Sequence, residues 1–257
     1  MQPRILVIGE AMQDLYHIGE ATRLSPEAPV PVVKIQETLL MPGGAANVVA
    51  NLEALGASVS AIYAYRQPQK NRLMVGNTQI ARWDTSDSCE PLVLPMAISG
   101  GIFDALVISD YGKGAFLDRT NIYRQLLDFQ GPVFIDTKQN PLAFCGLRQA
   151  TFFPNRKEYD AYTAEYNRTD YVLKDGAEGM RYQGNWEPAR ASHVVSVSGA
   201  GDTVIAAFAY ARLRWPKQSP ASWLAFASYA AAVVVSKPYT ATASVREILQ
   251  RGWRDDN

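Results

Sequence analysis

The chain has 257 residues, with 25 Lys and Arg against 25 Asp and Glu, 47% apolar residues and only 19% charged ones. That size fits one α/β domain or two small ones, with ample material for a core. The zero net charge excludes a protein that binds nucleic acid through a broad basic surface.

Apolar runs such as 230–235 are far too short to span a bilayer, and residues 1–10 lack the pattern of a secretory leader. Cys89 and Cys145 have neither metal-ligand nor disulfide spacing. The expectation is a cytoplasmic α/β protein with no nucleic-acid or membrane partner.

In chain order, residues 4–9 (Arg-Ile-Leu-Val-Ile-Gly) form an apolar run closed by glycine, the pattern of a buried first strand. Residues 12–37 carry Pro26, Pro29 and Pro31 and the alternation Val30, Val32, Ile35. Proline cannot serve a central ladder, so this stretch predicts edge strands and loops outside the main sheet. Residues 43–56 have a glycine turn, a helical stretch and a glycine stop. Residues 58–64 predict a second core strand. The polar stretch 65–90, with short alternating pieces at 72–75 and 79–83, predicts a small accessory sheet.

From residue 104 the pattern is regular. Strands are predicted at 105–109, 132–135, 150–153 and 171–173, with helical stretches between several of them, which implies a mostly parallel sheet covered on both faces. The last third is helical. Helices are predicted at 202–213 and from Ser219-Pro220 to about 235, and Ser244-Val-Arg-Glu247 has capping-box spacing for a short final helix.

Ser198-Gly-Ala-Gly-Asp-Thr203 is the strongest local signal for chemistry. Two glycines just before a long apolar helix let bare backbone approach a ligand, and the helix start offers free N–H groups and a positive dipole end to an anion. An aspartate in that first turn could accept a proton from a hydroxyl. Alone, the string fits a structurally capped helix equally well. His17 and His193 stand far apart and suit structural roles, as do Trp186, Trp215 and Trp223. Cys145 reads as a small hydrophobe.

Five segments in order carry a wider resemblance. They are Ile8-Gly-Glu-Ala-Met-Gln-Asp14, Arg23-Leu-Ser-Pro-Glu-Ala-Pro-Val-Pro-Val32, Met41-Pro-Gly-Gly-Ala-Ala-Asn47, Ile108-Ser-Asp-Tyr-Gly-Lys-Gly114 and Gly199-Ala-Gly-Asp-Thr-Val204. Together they resemble the ribokinase-like (PfkB) carbohydrate kinases, and within them the branch acting on heptose 7-phosphate. The resemblance implies a single ribokinase-like domain over 1–257: a three-layer α/β/α fold, a mostly parallel central sheet and a small β lid from about 12–37 and 65–90.

It further implies an ATP-dependent sugar kinase using Mg²⁺ and a monovalent cation. Asp202 would be the catalytic base, and Gly199, Ala200 and Gly201 the anion hole. Asn155 and Glu158 match an Asn-x-x-Glu motif that organises magnesium and phosphate, with Glu158 acting on the metal through water or phosphate. Their alternative role is a helix N-cap with an acidic first-turn partner. Lys138, Lys174, Gly176 and Gly179 would face the nucleotide, or else close strands as polar loops. Asp14, Gly43, Gly44 and Asn47 would bind the sugar, with Arg23 and Lys113 as contacts for a phosphate already on it or as solvated surface residues. A homodimer through the lid is implied as well.

The sequence departs from that pattern in three places. The stretch 51–82 is short for the family, which puts part of the sugar pocket in question and raises the alternative of a catalytically impaired sugar- or nucleotide-binding paralogue. Val195-Ser-Val-Ser198 lacks the Asp and Thr usual before the anion hole. Ser228 stands where relatives often carry Asn near the adenine.

Overall fold

Three runs of aliphatic residues set the centre of the molecule, β1 (Arg4–Gly9), β7 (Ala105–Asp110) and β8 (Val133–Thr137), all buried except Arg4. In this computed structural model, which describes residues 2–94, 98, 101–144 and 146–254, Cys145 lies outside the described residues. The central sheet has the order β12-β11-β10-β9-β8-β7-β1-β4. Its remaining strands are β4 (Ser58–Tyr63), β9 (Ala150–Phe152), β10 (Asp170–Lys174), β11 (Met180–Tyr182) and β12 (Asn185–Glu187). Every pairing from β4 to β10 is parallel, and β11 and β12 extend the far end antiparallel.

Alternation along the strands feeds two cores. Ile5, Val7, Val107 and Phe134 face one layer, built from α1 (Ala45–Ala54) and, as described below, the three C-terminal helices. Leu6, Ile8, Leu106, Ile108 and Ile135 face the other. That second layer holds α2 (Arg119–Leu126). It also holds α3 (Arg156–Ala161) and α4 (Thr163–Tyr166), whose Tyr159 and Tyr166 pack there. Parallel strands buried on both faces need apolar residues at every position, which is why these runs do not alternate with polar ones. The expected three-layer α/β/α architecture is the one observed.

The C-terminal helices are α5 (Ala200–Arg214), α6 (Pro220–Val235) and α7 (Val245–Gln250). Ser219 caps α6 by accepting from the Ser222 N–H, with proline in the first turn, and Ser244 with Glu247 forms the capping box that the spacing predicted. From Asp202 to Ala211 α5 is buried all round, the condition of a central core helix. Phe208, fully buried, meets Phe134, Phe153, Tyr182 and Trp223 edge-on at 5.0–6.2 Å between ring centroids. Phe208→Ala is therefore expected to cost about 3–5 kcal/mol of stability in urea unfolding. A loss below about 1 kcal/mol would contradict this packing.

The lid is a separate four-stranded sheet of order β3-β2-β5-β6, from β2 (Ala11–Leu24), β3 (Pro31–Gly44), β5 (Gln69–Val75) and β6 (Thr78–Thr85). The proline-rich stretch is thus more regular than its composition implies. Pro26 and Pro29 fall in the bend between two 14-residue strands, and Pro31 opens the second.

One expectation is corrected. Residues 58–64 form no core strand: β4 is the last strand in the sheet order, and Ser58, Ser60 and Ala61 are exposed. After β4 the chain crosses directly to the lid strand β5, so among the described residues no further strand covers that edge.

Candidate active site

The carboxyl ends of β1, β7, β8 and β10 converge with the amino ends of α1 and α5, the usual location of a site in an open parallel sheet. Asp202, third residue of α5 and 4% exposed, is the centre of the arrangement. Its Oδ1 accepts the Tyr111 hydroxyl at 2.5 Å and its Oδ2 accepts Asn47 Nδ2 at 2.9 Å. Asn47 is held in turn by Asn51, whose Nδ2 donates to Asn47 Oδ1 at 3.1 Å, and Thr203 Oγ1 donates to Asn51 Oδ1 at 3.0 Å. The starts of α1 and α5 are thereby pinned to each other through side chains.

Burial pushes the Asp202 carboxyl up to about 6. The Tyr111 and Asn47 hydrogen bonds and Lys174 pull against burial, while the Asp136 charge adds to it. A carboxylate with that proton affinity is suited to take a proton near neutral pH.

The Gly199-Ala-Gly201 turn precedes and opens α5. Gly199 is left-handed, with φ 77°, and a Cβ there would collide with Asn47 Nδ2 and lie 3.0 Å from Thr240 Cγ2. Only glycine fits. Gly201 presents bare backbone toward Lys174, whose Nζ would stand 3.5 Å from a Cβ at that position.

A cavity of about 510 Å³ opens beside this turn. It is lined by most residues expected on the nucleotide side, Lys138, Asn155, Lys174, Gly176 and Gly179, and by Ala200 and Gly201 of the turn. Asp136 sits at its polar end, bonded to Lys174 Nζ at 2.5 Å and to Lys138 Nζ at 3.0 Å, and Lys138 also pairs with Glu158 at 2.7 Å. Burial opposes the charge on Asp136, yet the two lysines outweigh it and hold the carboxyl down at about 2. Burial likewise opposes the charge on Lys138, and Asp136 and Glu158 raise it above its ordinary value. Asn155 and Glu158 form a complete capping box on α3, so the capping role is present, and Glu158 also extends the lysine lattice. The opposite end of the cavity is apolar, with Val194, Val197, Ala231 and Val235. Ser228 is there too, its hydroxyl donating to the Pro188 carbonyl at 2.8 Å.

On the other side of Asp202, Asp14, Gly43, Gly44 and Asn47 come together. A Cβ on Gly43 would stand 2.8 Å from Asp14 Oδ2, and one on Gly44 would lie 3.4 Å from the Tyr111 ring. Asp14 is buried and paired with Arg72 at 2.7 Å.

Two expected members stand elsewhere. Arg23 is exposed, nine residues along β2 from Asp14 and so about 30 Å away. Lys113 forms an ion pair with Asp87. The basic group that does approach is Lys70, on β5 in register with Asp14. Its ammonium lies 5.3 Å from the Tyr111 ring centroid, and burial lowers its pKa while Asp14 raises it. Lys138 Nζ lies 5.2 Å from the same ring.

The residues around Asp202 that sequence reasoning missed are therefore Glu10, Lys70, Arg72 and Tyr111. Tyr111 and Glu10 stood inside motifs already singled out. The alternation of Lys70 and Arg72 on a polar strand was the available signal for the other pair.

Comparison with known proteins finds relatives in sequence and in fold. Residues 146–247 match the pfkB family carbohydrate kinase. The bifunctional protein HldE of a Nitratiruptor species is 32% identical over 307 residues, covering 96% of this chain and 64% of that protein. The HldE of Haemophilus influenzae (strain PittGG) is 30% identical over 303 residues, covering 96% and 63%. The chain thus spans less than two thirds of the length of these curated relatives. Among solved structures, Arabidopsis thaliana ribokinase complexed with ribose and ATP superposes with a TM-score of 0.70 at 16% identity, covering 98% of this chain and 99% of that one. Escherichia coli phosphofructokinase-2 in complex with potassium gives 0.72 at 16%, covering 97% and 98%.

Proposed function

The chain belongs to the pfkB family of carbohydrate kinases, and from that footing we propose that it transfers the γ-phosphoryl group of ATP to a hydroxyl of a sugar phosphate, with a heptose 7-phosphate the favoured acceptor. The observation that carries this reading is the buried Asp202 carboxylate beside the glycine turn that opens α5, with the lysine-lined cavity on one flank and Asp14 on the other.

In this mechanism the acceptor hydroxyl lies against Asp202, which takes its proton as the new P–O bond forms. The bond between the γ-phosphorus and the bridging oxygen breaks, and ADP leaves. The N–H groups of the Gly199-Ala-Gly201 turn and the dipole of α5 meet the charge on the transferring group. Lys138 and Lys174 meet the nucleotide phosphates, exchanging part of their pairing with Asp136 and Glu158 for the ligand. Positioning and charge stabilisation do most of the work in such transfers.

Magnesium fits as an ion carried by the phosphates. Both carboxylates near the cavity are already bonded, Asp136 to two lysines and Glu158 to Lys138 and Asn155. They would reach the metal through water, where it would neutralise phosphate charge. A monovalent cation would be held by main-chain oxygens of the 195–198 segment, where the Ser196 hydroxyl is already occupied by the Ser198 N–H.

On the acceptor side, Lys70 is the basic group best disposed for a phosphate borne by the sugar: it faces Asp14 and Asp202 and has no ion-pair partner among the described residues. A homodimer through the lid belongs to the same proposal, supported by the exposed Leu24, Val30, Ile35, Leu40 and Trp83 on that sheet and its bend.

The test is an ADP-release screen with Mg-ATP over sugars and phosphosugars, run from pH 5 to 8. Turnover is expected with a phosphosugar. It should fall as pH drops through about 6, because the base works ionised and its carboxyl is raised to that value by burial. Tight sugar binding by calorimetry with no ADP released from any acceptor would favour the impaired-paralogue reading that the short 51–82 stretch raises.

A further inference from the structure

Glu10 follows β1 and is completely buried, yet it contacts neither the cavity nor Asp14. Its carboxylate instead grips the loop after β7. Oε2 accepts the Tyr111 N–H at 2.7 Å, and Oε1 accepts the N–H groups of Lys113 at 2.8 Å and Ala115 at 2.9 Å, with the Cys89 thiol donating at 3.6 Å. Every one of these partners is a donor, so the ionised form is the one the pocket fits. Burial pushes the Glu10 carboxyl up, and so does the neighbouring Asp110, while the three N–H groups pull it back. An anion with no lysine or arginine paired to it is costly to bury, and a fold that does so is using it to hold something.

What it holds is the residue whose hydroxyl lies on Asp202. Tyr111 is clamped at its main chain by Glu10, and its phenol ends 2.5 Å from Asp202 Oδ1. The ring is flanked by the ammonium groups of Lys70 and Lys138. We propose that Glu10 is a positioning residue for phosphoryl transfer: by anchoring the 111–115 loop it seats the Tyr111 hydroxyl on Asp202 and keeps that carboxylate aimed and ionised. The role of Asp202 as base rests on the kinase reading above, but the link from Glu10 through Tyr111 to Asp202 does not.

The groups facing this link are known. Asp202 is met by Tyr111 from the β7 loop, Asn47 from α1, Asp136 from β8, Lys174 from β10 and Lys70 from β5. Glu10 is met by Asp110 and Cys89. Its carboxylate also holds the main-chain N–H groups of Tyr111, Lys113 and Ala115, and among the described residues Tyr111 is the group common to both sets. Loss of its hydrogen bond removes a donor that favours the Asp202 anion, so the Asp202 titration must move upward.

The experiment follows the Asp202 carboxyl by carbon-13 NMR in the full chain, in Glu10→Gln, Tyr111→Phe and the double variant. In Tyr111→Phe the Asp202 midpoint is expected to rise by about one pH unit. Glu10→Gln should raise it in the same direction, because an amide sets an N–H₂ group against backbone donors. The double variant should match Tyr111→Phe rather than sum the two. An unmoved midpoint in Tyr111→Phe overturns the proposal with no change made at the buried glutamate, as does a folded Glu10→Gln with a wild-type titration. Should Glu10→Gln not fold, Glu10→Asp keeps the charge but shortens its reach, and the same shift is expected there. In turnover assays the acid limb of kcat should move with the midpoint while KM for ATP holds. A shifted midpoint in a chain that never turns over would sink the kinase reading and leave this link standing.

Discussion

Asp202→Asn is expected to lower kcat by about 10²–10⁴-fold, the range for loss of a positioned general base. The asparagine keeps the size of the side chain and can still accept the Tyr111 hydroxyl through its oxygen, while its N–H₂ replaces the oxygen that accepts from Asn47, so the charge and one acceptor disappear together. KM for ATP should change little, because the cations that face the cavity, Lys138 and Lys174, are paired with Asp136 and Glu158. The measurement is steady-state turnover with the best acceptor from the screen, alongside circular dichroism to establish the native fold. Turnover within a few-fold of wild type would remove Asp202 from the chemistry.

Gly199→Ala should be nearly as damaging for a different reason. The left-handed backbone at φ 77° disfavours any side chain, and the new methyl would collide with Asn47 Nδ2. Asn47 is the group that holds Asp202 Oδ2, so one added carbon disturbs both the turn proposed to bind the phosphoryl group and the aim of the proposed base. A loss of about 10²–10³-fold in kcat is expected, comparable with removal of an oxyanion donor. Gly184→Ala provides the contrast. It has φ 78° but open space around it, in the turn between β11 and β12. That variant should lose about 1–2 kcal/mol of stability from backbone strain and keep its turnover. Equal turnover in the two variants would show that the collision at Asn47 has no catalytic consequence.

Much of this architecture was legible in the sequence because the signals were local. Short apolar runs, the first closed by glycine, became β1, β7 and β8, and Ser219-Pro220 and the Ser244 to Glu247 spacing became helix starts. The glycine turn before Asp202 identified an unusual backbone at the start of a helix. The misreadings came where the outcome depended on distant neighbours. Residues 58–64 look like a core strand in isolation, and only the absence of a flanking strand leaves β4 at the edge. Lys113 and Arg23 came from the resemblance with a surface role as the alternative; Asp87 engages one, and the length of β2 carries the other away from Asp14. Glu10 and Tyr111 stood inside known motifs, yet the hydrogen bond joining the tyrosine to Asp202 spans 91 positions, and no periodicity reports such a pairing.

The bond between Asn47 and Asp202 also spans the chain, joining positions 155 apart, and Asp14 meets Thr240 across 226. In folding terms these are among the latest contacts to form, since closing such long loops is entropically unfavourable until the intervening sheet exists. The lysines and acids of the cavity reside on β8 and the residue after it, on α3 and on β10, well before α5 is synthesised. A nascent or clipped chain would therefore carry the groups proposed for the nucleotide phosphates but lack the base and its turn. Catalytic competence in such a molecule is a property of the finished fold, and the α1–α5 latch couples one to the other.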